Sequence, residues 1–178
     1  MLQTDRLTIR NFNLADANDL YEYLSLPDTY IFEPGSPISK EEAKQLCVER
    51  SKSDSFLAVE LRVTHKMIGH LYFSHSEPID FMTWELGYIF NPKYFNKGFC
   101  TEASKAIIKY AFNELQAHRI EAFCNPLNAA SWHVLEKTGM KREGYFKEKA
   151  FFRKDINDEP MWHDCYAYGL IDKDFKNK

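Results

Sequence analysis

The stretch Tyr88-Ile-Phe-Asn-Pro-Lys-Tyr-Phe-Asn-Lys-Gly-Phe-Cys-Thr-Glu-Ala103 has features that together suit an anion. An apolar strand stops at Pro92, a turn centred on Gly98 follows, and a helix opens behind it. The helix is signalled by Ala103, Ala106, Ile107, Tyr110, Ala111 and Leu115, whose three and four spacing places them on one buried face. The first amides of such a helix have no partners within it, and the helix dipole puts about half a positive charge at that end. Glycine leaves no side chain between ligand and backbone, so main-chain donors can bind phosphate oxygens. Lys97 adds a mobile charge at the rim. A glycine turn also serves simply to turn a strand into a helix, so Gly98 alone leaves both uses open.

Three segments acquire meaning from their order. Phe95-Asn-Lys-Gly-Phe-Cys-Thr-Glu-Ala103 resembles the acyl-CoA pyrophosphate loop of the GCN5-related N-acetyltransferase (GNAT) family, in particular its branch of ribosomal-protein alanine and serine acetyltransferases. Glu85-Leu-Gly-Tyr-Ile-Phe90 is similar to that branch's strand before the loop. Asn125-Pro-Leu-Asn-Ala-Ala-Ser-Trp-His-Val-Leu-Glu-Lys-Thr-Gly-Met140 is similar to its second cofactor motif. With Leu2-Gln-Thr-Asp-Arg-Leu-Thr-Ile-Arg10 and Trp162-His-Asp164, the resemblance spans nearly the whole chain.

The resemblance implies acetyl-CoA as cofactor and direct acetyl transfer to a primary amine. Amides of Asn96, Lys97, Gly98, Phe99, Cys100 and Thr101 would bind the pyrophosphate, and the main chain of Tyr88, Ile89 and Phe90 would bond the pantetheine arm inside a V-shaped cleft. Pro92 cannot donate to a ladder, which is consistent with pairing that fails there and equally with an ordinary strand end. Asn128 would contact the arm and Lys137 the nucleotide phosphate, although a helix cap and a helix-end cation need no ligand to explain them.

Free amines are mostly charged near pH 7, so transfer needs a proton acceptor, and Glu85 beside the implied cleft is the candidate base. A strand carboxylate that fixes a neighbouring loop is its alternative. Many GNAT enzymes carry a tyrosine as thiolate acid where this chain has Leu135; the branch's Asn-x-x-Ser pattern is kept in Asn128-Ala-Ala-Ser131, which nominates Ser131. A branch glutamate falls at Ala150, and Glu148, two residues earlier on the same strand face, is the candidate substitute. The loop carrying Tyr30, Phe32 and Glu33 could cover core or line a pocket, and the resemblance implies that Tyr30 and Phe32 help shape the acceptor site. His133 and His163 are alternative proton acceptors that occupy no family catalytic position, and Asp164 is expected to secure a neighbouring backbone, with recognition of a cationic amine as its alternative. The acceptor implied by the branch is an N-terminal amino group of a ribosomal or other protein. A polyamine or aminoglycoside-like amine is the enzymatic alternative, and a non-catalytic CoA-binding regulatory domain is the third reading.

The totals agree with this class. At 178 residues the chain suits one domain, taken as 1–178, that buries roughly two-thirds of its unfolded surface. Hydrophobic residues at 44% exclude a disordered chain, and a net charge of -3 offers no field for nucleic acid. The 4 cysteines form no Cys-x-x-Cys pair, so no metal site is expected and reduced thiols fit a cytoplasmic location. No signal-peptide pattern opens the sequence, and no apolar run reaches the roughly twenty residues of a membrane span. Dimers are common in the resembled branch, so a homodimer is the expected assembly.

The elements that must position these groups follow from pattern. Thr4 to Arg10 alternates as a strand, Asn13 caps a helix ended by Pro27, and Ser39-Lys-Glu-Glu42 is a capping box for a helix to about Lys52. Strands follow from Phe56 to Val63 and Met67 to Ser74 around the turn Thr64-His-Lys66, then from Thr83 to Phe90. Beyond the main helix come a strand from Arg119 to Cys124, a helix capped by Asn128 and closed by Gly139, and strands from Gly144 to Arg153 and Met161 to Leu170. The helical connection after Phe90 requires a parallel pair in an otherwise antiparallel set, so the expectation is an α/β fold: a mixed, mostly antiparallel seven-stranded sheet with about four helices on its faces.

Overall fold

In the computed structural model, which describes residues 1–176, helices cover both faces of the sheet, and this changes what the strand patterns mean. The strands are β1 (Leu2–Gln3), β2 (Leu7–Asn11), β3 (Phe56–Leu61), β4 (Met67–His75), β5 (Thr83–Phe90), β6 (Arg119–Cys124), β7 (Lys141–Lys154) and β8 (Pro160–Ile171). The helices are α1 (Ala17–Leu24), α2 (Lys40–Arg50), α3 (Phe99–Asn113), α4 (Ala129–Thr138) and α5 (Asp172–Lys176). One sheet of 8 strands runs in the order β1-β2-β3-β4-β5-β6-β8-β7. All neighbours are antiparallel except β5 and β6, the pair joined through α3. The expected seven strands become eight because Leu2 and Gln3, ahead of the expected Thr4 to Arg10 strand, form β1, while that strand begins only at Leu7 with Thr4 bonding Leu7 in the turn between. The short α5, unannounced by any cap, follows β8 and stacks Phe175 on Phe112. Residues 177 and 178 of the expected domain lie outside the described residues.

The larger core lies between the sheet and α3 and α4, and includes Leu7, Ile68, Leu86, Ile107, Phe112, Ile120 and Leu135. A second core under α1 and α2 joins Leu20, Tyr23 and Cys47 to Ala58 and Met67. Burial from both sides explains why Thr8 is as hidden as Leu7 and Ile9, although alternation placed it on the wet face. The caps of α2 and α4 formed as read: Ser39 and Glu42 complete a capping box at α2, and Gly139 adopts a left-handed φ of 94° after α4. Asn13 instead caps a short turn over Leu14–Asp16, and α1 ends at Leu24, ahead of Pro27.

Candidate active site

The sheet opens beside β5. β5 stays registered with β4 from Trp84 to Phe90, but its parallel pairing to β6 covers only Thr83, Glu85 and the residue between them. β6 turns away with β8, which it accompanies as far as Cys124. The strands therefore part after Glu85, well before Pro92, which instead begins a short turn over Pro92–Tyr94. Main-chain groups of residues 86–90 on this side are left without a ladder partner among the described residues, as an extended ligand strand would require. The gap opens into a cavity of about 550 Å³ between β5, the loop before α3, and α4.

The loop is shaped by backbone conformation. Asn96 and Gly98 both take left-handed angles, φ 58° and 77°, and no side chain caps the helix that Gly98 opens. A Cβ on Gly98 would meet only the tip of Arg6, at 3.6 Å, so the glycine is required by its backbone angle and open approach. Arg6 braces the loop from outside: it donates to the Lys97 carbonyl at 3.0 Å, pairs with Glu102 at 2.6 Å and lies 4.4 Å over the Phe99 ring. Burial disfavours the Glu102 charge, but hydrogen bonds from Thr4 and Arg6 outweigh it and hold the carboxyl below the usual range. Buried Asn91 fixes the other end, accepting from the Lys93 amide and donating to Glu22. These residues fit a bound diphosphate: free first-turn amides at the positive end of α3, with Lys137 on the opposite wall.

At the inner end of the cleft the Tyr88 hydroxyl donates to the Ser131 carbonyl at 2.8 Å and lies 3.2 Å from the Ser131 hydroxyl. Burial holds the Tyr88 phenol well above its ordinary value, so it stays a proton donor. Asn128 caps α4 by accepting the Ser131 amide and also lines the cavity, so its structural and ligand-facing roles coincide. Burial lifts the Cys124 thiol to about 12 and the Cys100 thiol higher still, leaving no thiolate here to act as a nucleophile.

Glu33 is the candidate group that sequence reasoning passed over. It lines this cavity and a second one of about 480 Å³, and burial pushes its carboxyl up to about 7. Its loop is fastened to the end of α1: Thr29 donates to the Tyr23 carbonyl, and the Tyr30 hydroxyl and the Ile38 amide both donate to that of Leu24. The only available signal was a carboxylate set between Phe32 and Pro34 in an aromatic and proline-rich loop.

Every expected cofactor residue lines the first cavity except Lys97, whose ammonium turns to the Lys93 carbonyl and lies over Tyr94. Ser131 and Phe32 are brought into it, but Tyr30 is not; it is buried in the second core and holds the loop rather than a substrate. Glu148 is corrected for a different reason. The register of β7 slips between Phe146 and Ala150, Glu148 takes a φ of 49°, and the residue is exposed, so same-face alternation fails and Ala150 lines the second cavity instead. Glu85 lines neither cavity; it stands across from Ser74 and Glu121, where burial and the Glu121 charge raise its carboxyl. Asp164 does secure its neighbours, accepting from the Glu148 amide and the Tyr145 hydroxyl. Leu135 is fully buried and offers no group to the cleft. Among the described residues no group suited to a metal ion and no helix long and apolar enough to cross a membrane is found.

An opened parallel pair with a cationic helix end beneath it defines a class of acyl-transferring enzymes that hold a nucleotide thioester. The acetyltransferase (GNAT) domain family matches residues 6–141. The uncharacterized N-acetyltransferase YnaD of Bacillus subtilis (strain 168) is 37% identical over 176 residues, 98% of each chain. A solved acetyltransferase (GNAT family) from Bacillus anthracis superposes with a TM-score of 0.86 at 35% identity, covering 97% of this chain and 98% of that one. The ribosomal protein uS5-alanine N-acetyltransferase of Escherichia coli (strain K12) is 28% identical over 185 residues, 98% of this chain and 92% of that enzyme. The chain belongs to the GNAT family and is an acyl-CoA-dependent N-acetyltransferase, in a fold whose members use acetyl-CoA.

Proposed function

We propose that the enzyme transfers acetyl from acetyl-CoA directly to a primary amine, the N-terminal amino group of a ribosomal or other protein being the first acceptor considered. That choice is supported by the E. coli relative's activity on a ribosomal protein. A small-molecule amine is the alternative. The observation that carries the mechanism is the position of Glu33, common to the cofactor cleft and the second cavity.

Bound acetyl-CoA supplies a thioester: the C–N bond forms at its acyl carbon, the C–S bond breaks, and the sulfur leaves as a thiol. Glu33 takes one of the two protons that the ammonium gives up, a role suited to a carboxyl near 7. Ser131, held by Tyr88, passes the other to the sulfur, with the pair of hydroxyls regenerated at the end of the turn. We assign the base to Glu33 in preference to Glu85 because only Glu33 borders the cleft. The amides of residues 96–101 and Lys137 hold the diphosphate, and the high thiol values of Cys100 and Cys124 favour direct transfer over an acyl-cysteine. A thiol-release assay with acetyl-CoA and a panel of amines tests this. Turnover that depends on both substrates is expected, and hydrolysis indifferent to every amine would refute it.

A further inference from the structure

The second cavity has a chemical character of its own. Phe123, Phe146, Phe152 and Phe32 supply its rings, and it meets the cofactor cleft only through Phe32, Glu33 and Asn128. Its polar groups are already occupied in a way that leaves one vacancy for a cation. Asp164 is bonded to the Tyr145 hydroxyl and the Glu148 amide, and Lys149 brings a positive charge 5.3 Å over the Phe146 ring. Asn125 has its carbonyl engaged by the Leu127 amide, so its NH2 donates to His163 Nδ1, and the Phe152 ring stacks on His163 at 5.2 Å. No hydrogen bond or ion pair to the Glu33 carboxylate is found among the described residues, and Glu33 stands where the second cavity meets the cofactor cleft.

We propose that this cavity is the acceptor pocket and selects amines of a single positive charge carried on a bulky apolar, preferably aromatic, body. The inference builds on the N-acetyltransferase reading and narrows its acceptor. One ammonium can lie against Glu33 while the adjoining group fills the space among the phenylalanines, removing apolar surface from water on both sides. A second or third ammonium on the same molecule would lose its hydration against rings and the Lys149 charge, and a ring face returns less than burying an unpaired ion costs. Polyamines are therefore selected against. A small arylalkylamine and a polypeptide whose first residue is bulky and apolar present the same chemistry to the pocket.

Calorimetry of 2-phenylethylamine, L-phenylalaninamide, L-alaninamide and spermidine against CoA-saturated enzyme, with thiol release from acetyl-CoA in parallel, tests the selection. The two aromatic amines are expected to bind, and to exceed alaninamide and spermidine in kcat/KM by about tenfold or more. Preference for phenylalaninamide over phenylethylamine would point to peptide acceptors, and the reverse to free amines. Spermidine binding as tightly as the aromatic amines would overturn the selection while leaving the enzyme class intact. Aromatic amines that bind but release no thiol would preserve the pocket and remove the proposed transfer. Phe123→Ala supplies a second check, because Phe123 is 45% exposed and its loss spares the core. It should raise the KM for phenylalaninamide about tenfold and that for alaninamide far less; equal rises for both would remove the aromatic wall from recognition.

Discussion

On the reading proposed above, the two halves of the cleft would recognise their ligands by different means. On the cofactor side the chain uses its own backbone: unpaired strand groups on β5, left-handed Asn96 and Gly98, and the open first turn of α3. On the acceptor side it uses side chains drawn from five separate places: Phe32 and Glu33 from a loop, Phe123 from β6, Asn128 from before α4, Phe146 and Phe152 from β7, and His163 from β8. Backbone recognition constrains residue types locally, because only certain residues tolerate the angles, so it leaves a readable motif. Side-chain recognition across a sheet constrains no contiguous stretch.

The comparison is broken most directly at the junction of the two halves. Glu33→Gln should lower kcat by about 10²-fold or more, with acetyl-CoA affinity within about twofold by calorimetry; retained turnover would return the base to Glu85 or a water chain. The same group predicts a pH profile. Glu33 must be ionised to take a proton, so kcat/KM for the wild type should climb about tenfold per unit below pH 7 and level off above it, and the inflection near 7 should vanish in Glu33→Gln. Its folded value lies above its unfolded one, so its contribution to stability is complete below the unfolded carboxylate range and is lost as pH rises through about 7. Glu33→Gln is accordingly expected to raise the melting temperature at pH 8 and not at pH 4, reflecting about 1–3 kcal/mol after allowance for partial exposure.

Gly98→Ala probes the cofactor half alone. Forcing a Cβ into a left-handed angle costs about 1–2 kcal/mol and should weaken acetyl-CoA binding about tenfold, read as a smaller melting-temperature rise on adding the cofactor. Unchanged binding would mean that the amides there do not hold the diphosphate. Ser131→Ala and Tyr88→Phe should each lower kcat by about tenfold while sparing cofactor affinity, and because they share one hydrogen bond the double variant should lose little more than either. Additive losses would show two independent roles. The smallest effect belongs to Lys137→Ala, about threefold in acetyl-CoA affinity and shrinking with added salt, since an exposed charge is screened.

Local physics was legible wherever it was self-contained. Ser39 and Glu42, Asn128, Gly139 and the full extents of β5 and β6 could be read because capping geometry and apolar runs act over a few residues. The rim charge expected of Lys97 was misplaced, though not its amide, because nothing nearby in sequence says that the side chain will fold back over Tyr94. Glu148 was misjudged because the slip between Phe146 and Ala150, a step of four residues on β7 against two on β8 with Glu148 itself at a φ of 49°, has no signature in an otherwise regular strand.

The sequence by itself carried the ordered motifs that resemble the family, the caps at Ser39, Asn128 and Gly139 and the turn at Gly98, because each depends on residues adjacent in the chain. Only the tertiary structure decided where β5 and β6 separate and which carboxylate stands at the opening. Both depend on chain segments remote from one another, with Glu33 brought to Ser131 by the fastening of its loop to α1, and on burial that no local pattern encodes.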